Sequence, residues 1–151
     1  MRVYIGSDHG GVTQKAALVL HLAANKVAIR DCGSYDREAT DYPDYALAVA
    51  RSVRSDPGSF GILLCRSGEG MEMAANKVPG IRAALVWRPE VAVETRNDND
   101  ANILVLPSDF VTDQVAMEIA DTFLGTPFSA LPRHQRRLEK MQTIERMPHE
   151  A

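Results

Sequence analysis

The chain has 151 residues, is 45% hydrophobic and 25% charged, and carries a formal net charge of −3. That length is one ordinary domain, and the composition supplies a packed core and excludes wholesale disorder. The negative balance argues against a general nucleic-acid binder, and no run approaches the ~20 apolar residues of a membrane span.

Met1-Arg2-Val3-Tyr4-Ile5-Gly6 enters a strand pattern at once and does not read as a signal peptide. Residues 3–7 predict a first buried strand, followed by Asp8-His9-Gly10-Gly11 and a helix over 13–24. A second strand is expected over 27–32, then a polar loop over 34–40. Asp41-Tyr42-Pro43-Asp44-Tyr45 opens a helix to about residue 55, with Pro43 suited to its first turn. Residues 60–65 predict a third strand, and 82–87 a fourth. A short helix over 89–97 leads to a polar, turn-rich link over 97–102. Residues 103–107 predict a fifth strand, and 112–124 an amphipathic helix ending near Gly125. Arg133-His134-Gln135-Arg136-Arg137 begins a last helix reaching about residue 146, with 147–151 as a frayed tail.

Apolar strands alternating with helices predict an α/β fold: a five-stranded parallel sheet flanked by helices, in a three-layer sandwich. Such sheets bind ligands outside their carboxyl strand ends. By position, Asp8, His9, Tyr42, Cys65 and Asn99 become candidates.

The chemistry is expected at residues 60–77. An apolar strand ends at Cys65, passes through Ser67-Gly68-Glu69-Gly70, and continues into a helix-forming run. Strand, tight turn, helix aims backbone N–H groups at an anion. A thiol at that lip sits beside the positive end of a helix dipole, which favours the thiolate, a nucleophile or base. On residue type alone, a cysteine ending an apolar strand is an ordinary small core residue. Two named loops fail on spacing. A P-loop needs Lys-Ser/Thr after its last glycine, and a cysteine phosphatase loop needs an arginine where Met71 stands. Asp8 equally suits a helix cap, and Tyr42 equally suits packing. The basic cluster at 133–137 is either a solvated helix face or a phosphate partner. No His/Cys/Asp/Glu set has metal-ligand spacing, so metal-free chemistry without a cofactor is expected. Cys32 and Cys65 make no disulfide framework, and both read as reduced thiols in a cytoplasm.

Gly6-Ser7-Asp8-His9-Gly10-Gly11, Asp41-Tyr42-Pro43-Asp44-Tyr45, the Cys65 loop and Ala74-Ala75-Asn76-Lys77-Val78-Pro79-Gly80-Ile81-Arg82-Ala83-Ala84 resemble the ribose-5-phosphate isomerase B family. So do Asn99-Asp100-Ala101-Asn102 and Arg133-His134-Gln135-Arg136-Arg137. That family includes galactose-6-phosphate and allose-6-phosphate isomerases, and the likeness runs in order along nearly the whole chain. It implies a Rossmann-like or flavodoxin-like sheet and a metal-independent aldose–ketose isomerase of sugar phosphates. It implies one domain over 1–151, in a homodimer or dimer of dimers with shared active sites. The helix from about residue 132 would dock on a partner subunit and carry Arg133 and Arg137 to its phosphate.

By the resemblance, Cys65 is the base. The amides of Ser67, Gly68, Glu69 and Gly70 hold the enediolate oxygen, and Asp8, His9, Tyr42 and Asn99 contact substrate. Another branch uses a glutamate where Met71 stands, which favours Cys65 here. Asp98 replaces the family's ring-opening histidine, Asp109 replaces a phosphate arginine, and Arg66 replaces a small residue. The expected activity is therefore ribose 5-phosphate/ribulose 5-phosphate isomerisation. A tetrose- or hexose-phosphate isomerase stands as one alternative, and a non-catalytic sugar-phosphate-binding module as another.

Overall fold

A computed structural model describes residues 1–147; of the tail expected over 147–151, all but Met147 lies outside the described residues. The elements are β1 (Arg2–Ser7), α1 (Val12–Ala24), β2 (Ala28–Asp31), α2 (Tyr42–Ser55), β3 (Phe60–Cys65) and α3 (Glu69–Ala75). They continue as β4 (Ala83–Leu85), α4 (Pro89–Asn99), β5 (Ile103–Pro107), α5 (Asp113–Gly125) and α6 (Pro132–Glu145). All strand pairs are parallel, in the order β2-β1-β3-β5-β4.

The period-two alternation of the strands sorts the core into two layers. Val3, Ile5, Ile62, Leu64, Leu104 and Leu106 face Leu18 and Leu22 of α1, Ala92 of α4 and Phe123 of α5. Tyr4, Leu63, Cys65, Ile103 and Val105 face Val49 and Val53 of α2 and Met71 of α3. Burying both faces explains why the central strands read as unbroken apolar runs.

Part of the motif-rich sequence proves to be scaffold. Asn76 mimics a neighbouring strand, accepting from Ala83 N at 2.8 Å and donating to Ala83 O at 2.9 Å. Asn102 does the same for the approach to β4, accepting from Arg82 N at 2.8 Å and donating to Gly80 O at 2.9 Å. Both satisfy backbone groups that an outer strand would leave unpaired.

Three expectations need correction. The link expected over 97–102 is helical as far as Asn99, and α4 ends with Asp100 in the left-handed region at φ 47°. The end is held by Arg96, whose Nη1 donates to Asp100 Oδ1 at 2.8 Å and to Ala101 O at 2.7 Å, so the polar residues finish a helix. β4 covers only 83–85 of the expected 82–87, and β2 only 28–31 of 27–32. Each is an edge strand with a single ladder partner, so pairing runs out sooner.

Candidate active site

The carboxyl ends of β1, β3 and β5 meet in one place. Asp8 N donates to Leu64 O at 3.2 Å, and Ser108 N to Cys65 O at 2.9 Å, so three loops are stitched together. Asp8 is 7% exposed, and its Oδ1 accepts from Gly10 N at 2.8 Å and Gly11 N at 3.3 Å. The carboxylate thus shapes the entry to α1, although Gly11 is the residue at the N-cap. A Cβ on Gly11 would lie 2.7 Å from Leu64 Cβ, so only glycine lets α1 start this close to β3.

His9 is fixed by a residue that the sequence did not single out. Thr40 N donates to His9 Nδ1 at 3.3 Å, and His9 N donates to Thr40 Oγ1 at 3.3 Å. Nδ1 therefore accepts, which leaves the Nε2 side of the ring for a substrate. Thr40 lies in a polar loop whose sequence carries no signal for this pairing.

Cys65 ends β3 at 6% exposure on the α2/α3 side. Gly68 N donates to its Sγ at 3.1 Å. Gly68 takes φ 83° at the start of α3, a conformation that suits glycine and turns its amide back to the sulfur. Burial pushes the Cys65 thiol up from its ordinary value. The amides of Met71, Gly68 and Ser67 pull it down, and the charge of Asp8 adds to the rise. The expectation that this position favours the thiolate is thereby corrected. Loss of solvation outweighs the three amides, so the resting sulfur keeps its proton. Glu69 is exposed at the start of α3. Glu72 is committed elsewhere, accepting from Leu85 N at 3.0 Å.

The ring of Tyr42 lies on Gly70, where an added Cβ would come within 2.8 Å of Tyr42 Cζ. Tyr42 is 40% exposed, so it walls the turn with one face and leaves the other open. Arg66 projects the other way, its stem against Gly10 and its Nε 2.8 Å from Asp109 Oδ2. Asp8, His9, Tyr42, Cys65, Arg66 and the 67–70 turn thus share one edge of the sheet.

Asp98, Asn99, Arg133 and Arg137 do not join them, and the placement of Asn99 on the ligand edge is overturned. α4 leaves the carboxyl end of β4 and returns to the amino end of β5. Its last turn, with Asp98 and Asn99, is therefore separated from Cys65 by about 16 Å, the length of a five-residue strand. The start of α6 is fastened to the same corner, since Ser129 N donates to Asn97 O at 3.1 Å. His134, expected in the basic cluster, is 1% exposed and faces inward. Its Nδ1 is 2.7 Å from Ser129 Oγ, and its Nε2 accepts from Arg133 Nε at 3.1 Å. Asp98 Oδ1 accepts from Asn97 Nδ2 at 2.6 Å and lies 3.7 Å from His134 Nε2. Arg137 is exposed. Among the described residues, no three His, Cys, Asp or Glu side chains gather as a metal-ligand set, and no helix is long and apolar enough to cross a membrane.

A parallel α/β sheet with a cysteine inside an amide-lined turn at its carboxyl edge defines the class: a domain built to hold a small anionic or enolisable ligand beside a thiol. The chain belongs to the Ribose/Galactose Isomerase family, whose model matches residues 3–141. It is 42% identical over 152 residues to ribose-5-phosphate isomerase B of Mycolicibacterium paratuberculosis, covering 100% of this chain and 95% of the relative. Its fold matches that of ribose-5-phosphate isomerase B from Clostridium thermocellum with a TM-score of 0.93 at 41% identity, over 96% of this chain and 97% of the other. The Mycoplasma genitalium protein with bound ribulose-5-phosphate matches with a TM-score of 0.92 at 41% identity, over 97% of each chain.

Proposed function

We propose that the protein interconverts ribose 5-phosphate and ribulose 5-phosphate, with each active site completed by a second copy of the chain. Family membership and the names of the relatives support the reaction class. The observation that carries the reading is Cys65 Sγ under the Gly68 amide, beside Asp8 and His9.

In this reading the Cys65 thiolate removes the proton from the carbon next to the carbonyl. Electrons move into a cis-enediolate, whose oxygen accepts from the amides of the 67–70 turn, and the thiol returns the proton to the neighbouring carbon. The Gly68 amide has two uses. It steadies the sulfur as the thiolate, and it is released to the enediolate oxygen once the sulfur has taken the substrate's proton and accepts more weakly. Asp8, His9 and Tyr42 contact the sugar, and Arg66 is the cation of this edge. The partner copy supplies Asp98, Asn99, Arg133 and Arg137, which stand at the opposite edge of their own chain. Side chains on and beside α6 favour such docking: Leu131, Met141 and Ile144 are 39%, 44% and 65% exposed. A cytoplasmic setting fits a reduced Cys65.

A coupled assay over pentose, tetrose and hexose phosphates tests the reading. The highest kcat/KM is expected on ribose 5-phosphate, and absence of turnover on every sugar phosphate would sink it. A second reading, a tetrose- or hexose-phosphate isomerase, is favoured by the aspartate at position 98, where a ring-opening residue is expected.

A further inference from the structure

At the amino-terminal end of the sheet, far from Cys65, a pocket of about 410 Å³ opens between α2 and the outer strand β2. Its lining follows from strand and helix periodicity. Side chains two apart on a strand share a face, so Arg2 and Tyr4 of β1 point the same way. The register sets Arg30 of β2 beside Tyr4, which brings a second guanidinium to that face. On α2, Arg51, Ser52 and Ser55 line the facing wall. Three guanidiniums thus converge in a chain whose net charge is −3.

One carboxylate joins them. Asp56 accepts from Arg2 Nη1 at 3.1 Å and from the Tyr4 hydroxyl at 3.0 Å. Arg30 and Arg51 make no side-chain hydrogen bond or ion pair among the described residues. Two uncompensated like charges on one concave wall repel, and an anion between them turns that repulsion into attraction.

We propose that this pocket is an anion site for a phosphate dianion, free or as an ester, distinct from the site at Cys65. The donors favour phosphate over carboxylate. Two free guanidinium forks, the part-engaged Arg2 and the Ser55 hydroxyl exceed what two carboxylate oxygens accept, whereas phosphate offers three terminal oxygens. Asp56 is the positioning residue, holding Arg2 and Tyr4 in the wall. β3 runs from Phe60, level with Val3, to Cys65, so about 16 Å of strand keeps one ligand from touching both places. The pocket is argued from its own lining, and only the expected count of two phosphates rests on the sugar-phosphate reading of the Cys65 site.

Equilibrium dialysis with inorganic phosphate tests it. Two phosphates per chain are expected for the wild type. The Arg30→Gln/Arg51→Gln variant should bind one, with the other weakened at least about tenfold and isomerase turnover unchanged. The Arg133→Ala/Arg137→Ala variant should keep the amino-edge phosphate. A single phosphate on the wild type that the Arg30→Gln/Arg51→Gln variant keeps, or two on that variant, overturns the proposal, whereas a single phosphate lost in that variant leaves the pocket standing and removes the phosphate from the Cys65 site. A wild type that binds one phosphate while the double variant sediments as a smaller species also overturns it, because the arginines then serve a subunit contact. Arg51→Gln alone, on the exposed face of α2, gives the same reading if the double variant folds poorly. Glycerol 2-phosphate in place of phosphate identifies the source: two equivalents mean that the pocket admits esters, and one means free phosphate.

Discussion

Arg66 Nε donates to Asp109 Oδ2 at 2.8 Å, joining the loop after β3 to the loop after β5. The backbones are joined as well, since Asp109 N donates to Arg66 O at 3.0 Å. In the sequence, an unexpected arginine at 66 and a missing arginine at 109 are two separate departures. In the structure they are one contact. A cation reaches the same edge from the other loop, held by the aspartate that took the first arginine's place. Arg66→Ala should raise KM for the sugar phosphate roughly tenfold, and Asp109→Ala should raise it less. Both melting temperatures should stay near wild type, because the two side chains are 72% and 42% exposed and such pairs stabilise little. Unchanged KM in Arg66→Ala would remove it from the site.

Cys65→Ser should abolish deuterium wash-in from heavy water at the substrate carbon while leaving binding intact, since a hydroxyl is too weak an acid to supply the base. Retention of more than about a tenth of the rate, an effect under ~1.4 kcal/mol, would move the base elsewhere. Glu69 then becomes the candidate, because Glu72 is bound to the Leu85 amide.

Burial raises the Cys65 thiol above its unfolded value, which sets the sign of two pH effects. Turnover should keep climbing with pH past the ordinary thiol range, because the proposed working species is the thiolate. Stability should run the other way. The folded chain holds this proton more tightly than the unfolded one, so the contribution is complete below the unfolded pKa and is lost as pH rises through the folded one. Urea midpoints measured across the alkaline range should fall for the wild type and fall less for Cys65→Ala. Burial also raises Cys32, so part of the slope should persist in that variant. Equal slopes for the two proteins would refute the assignment.

The two halves of the proposed site stand on opposite edges of one chain, which makes subunit mixing decisive. Neither Cys65→Ser nor Arg137→Ala chains should turn over well alone. Their heterodimer should recover up to half the wild-type activity per site pair, because one of its two sites is intact. Mixed dimers that form without any recovery would show that Cys65 and Arg137 do not serve one site across the interface.

Asp98 is not free to behave as a simple histidine substitute. Its Oδ1 accepts from Asn97 Nδ2 at 2.6 Å, beside the buried His134. Ribose 5-phosphate closes a furanose ring through O4, whereas erythrose 4-phosphate carries its phosphate there and cannot. If ring opening limits turnover, Asp98→His should raise kcat on ribose 5-phosphate several-fold and leave erythrose 4-phosphate unchanged. Equal responses on both substrates would separate Asp98 from ring opening.

The sequence by itself determined the layer order and the loop that matters. Strands buried on both faces must be apolar throughout, so 3–7, 60–65 and 103–107 stood out, and a cysteine followed by Ser67-Gly68-Glu69-Gly70 is a local pattern. Helix-end chemistry was ambiguous because Asn and Asp suit both turns and helix ends, and only the Arg96 contacts with Asp100 and Ala101 settled 97–99 as helix. What the tertiary structure decided was distance and solvation. Parallel strands of equal direction put Cys65 and Asn99 at opposite ends of the sheet, although both lie in polar, turn-like stretches. Burial, which no single residue encodes, reversed the expected bias of the Cys65 proton and turned His134 inward. The Arg66–Asp109 contact spans 43 positions, and the pairing of Thr40 with His9 spans 31. Contacts at that range depend on how the loops meet over the sheet, and chain-local spacing carries no trace of them.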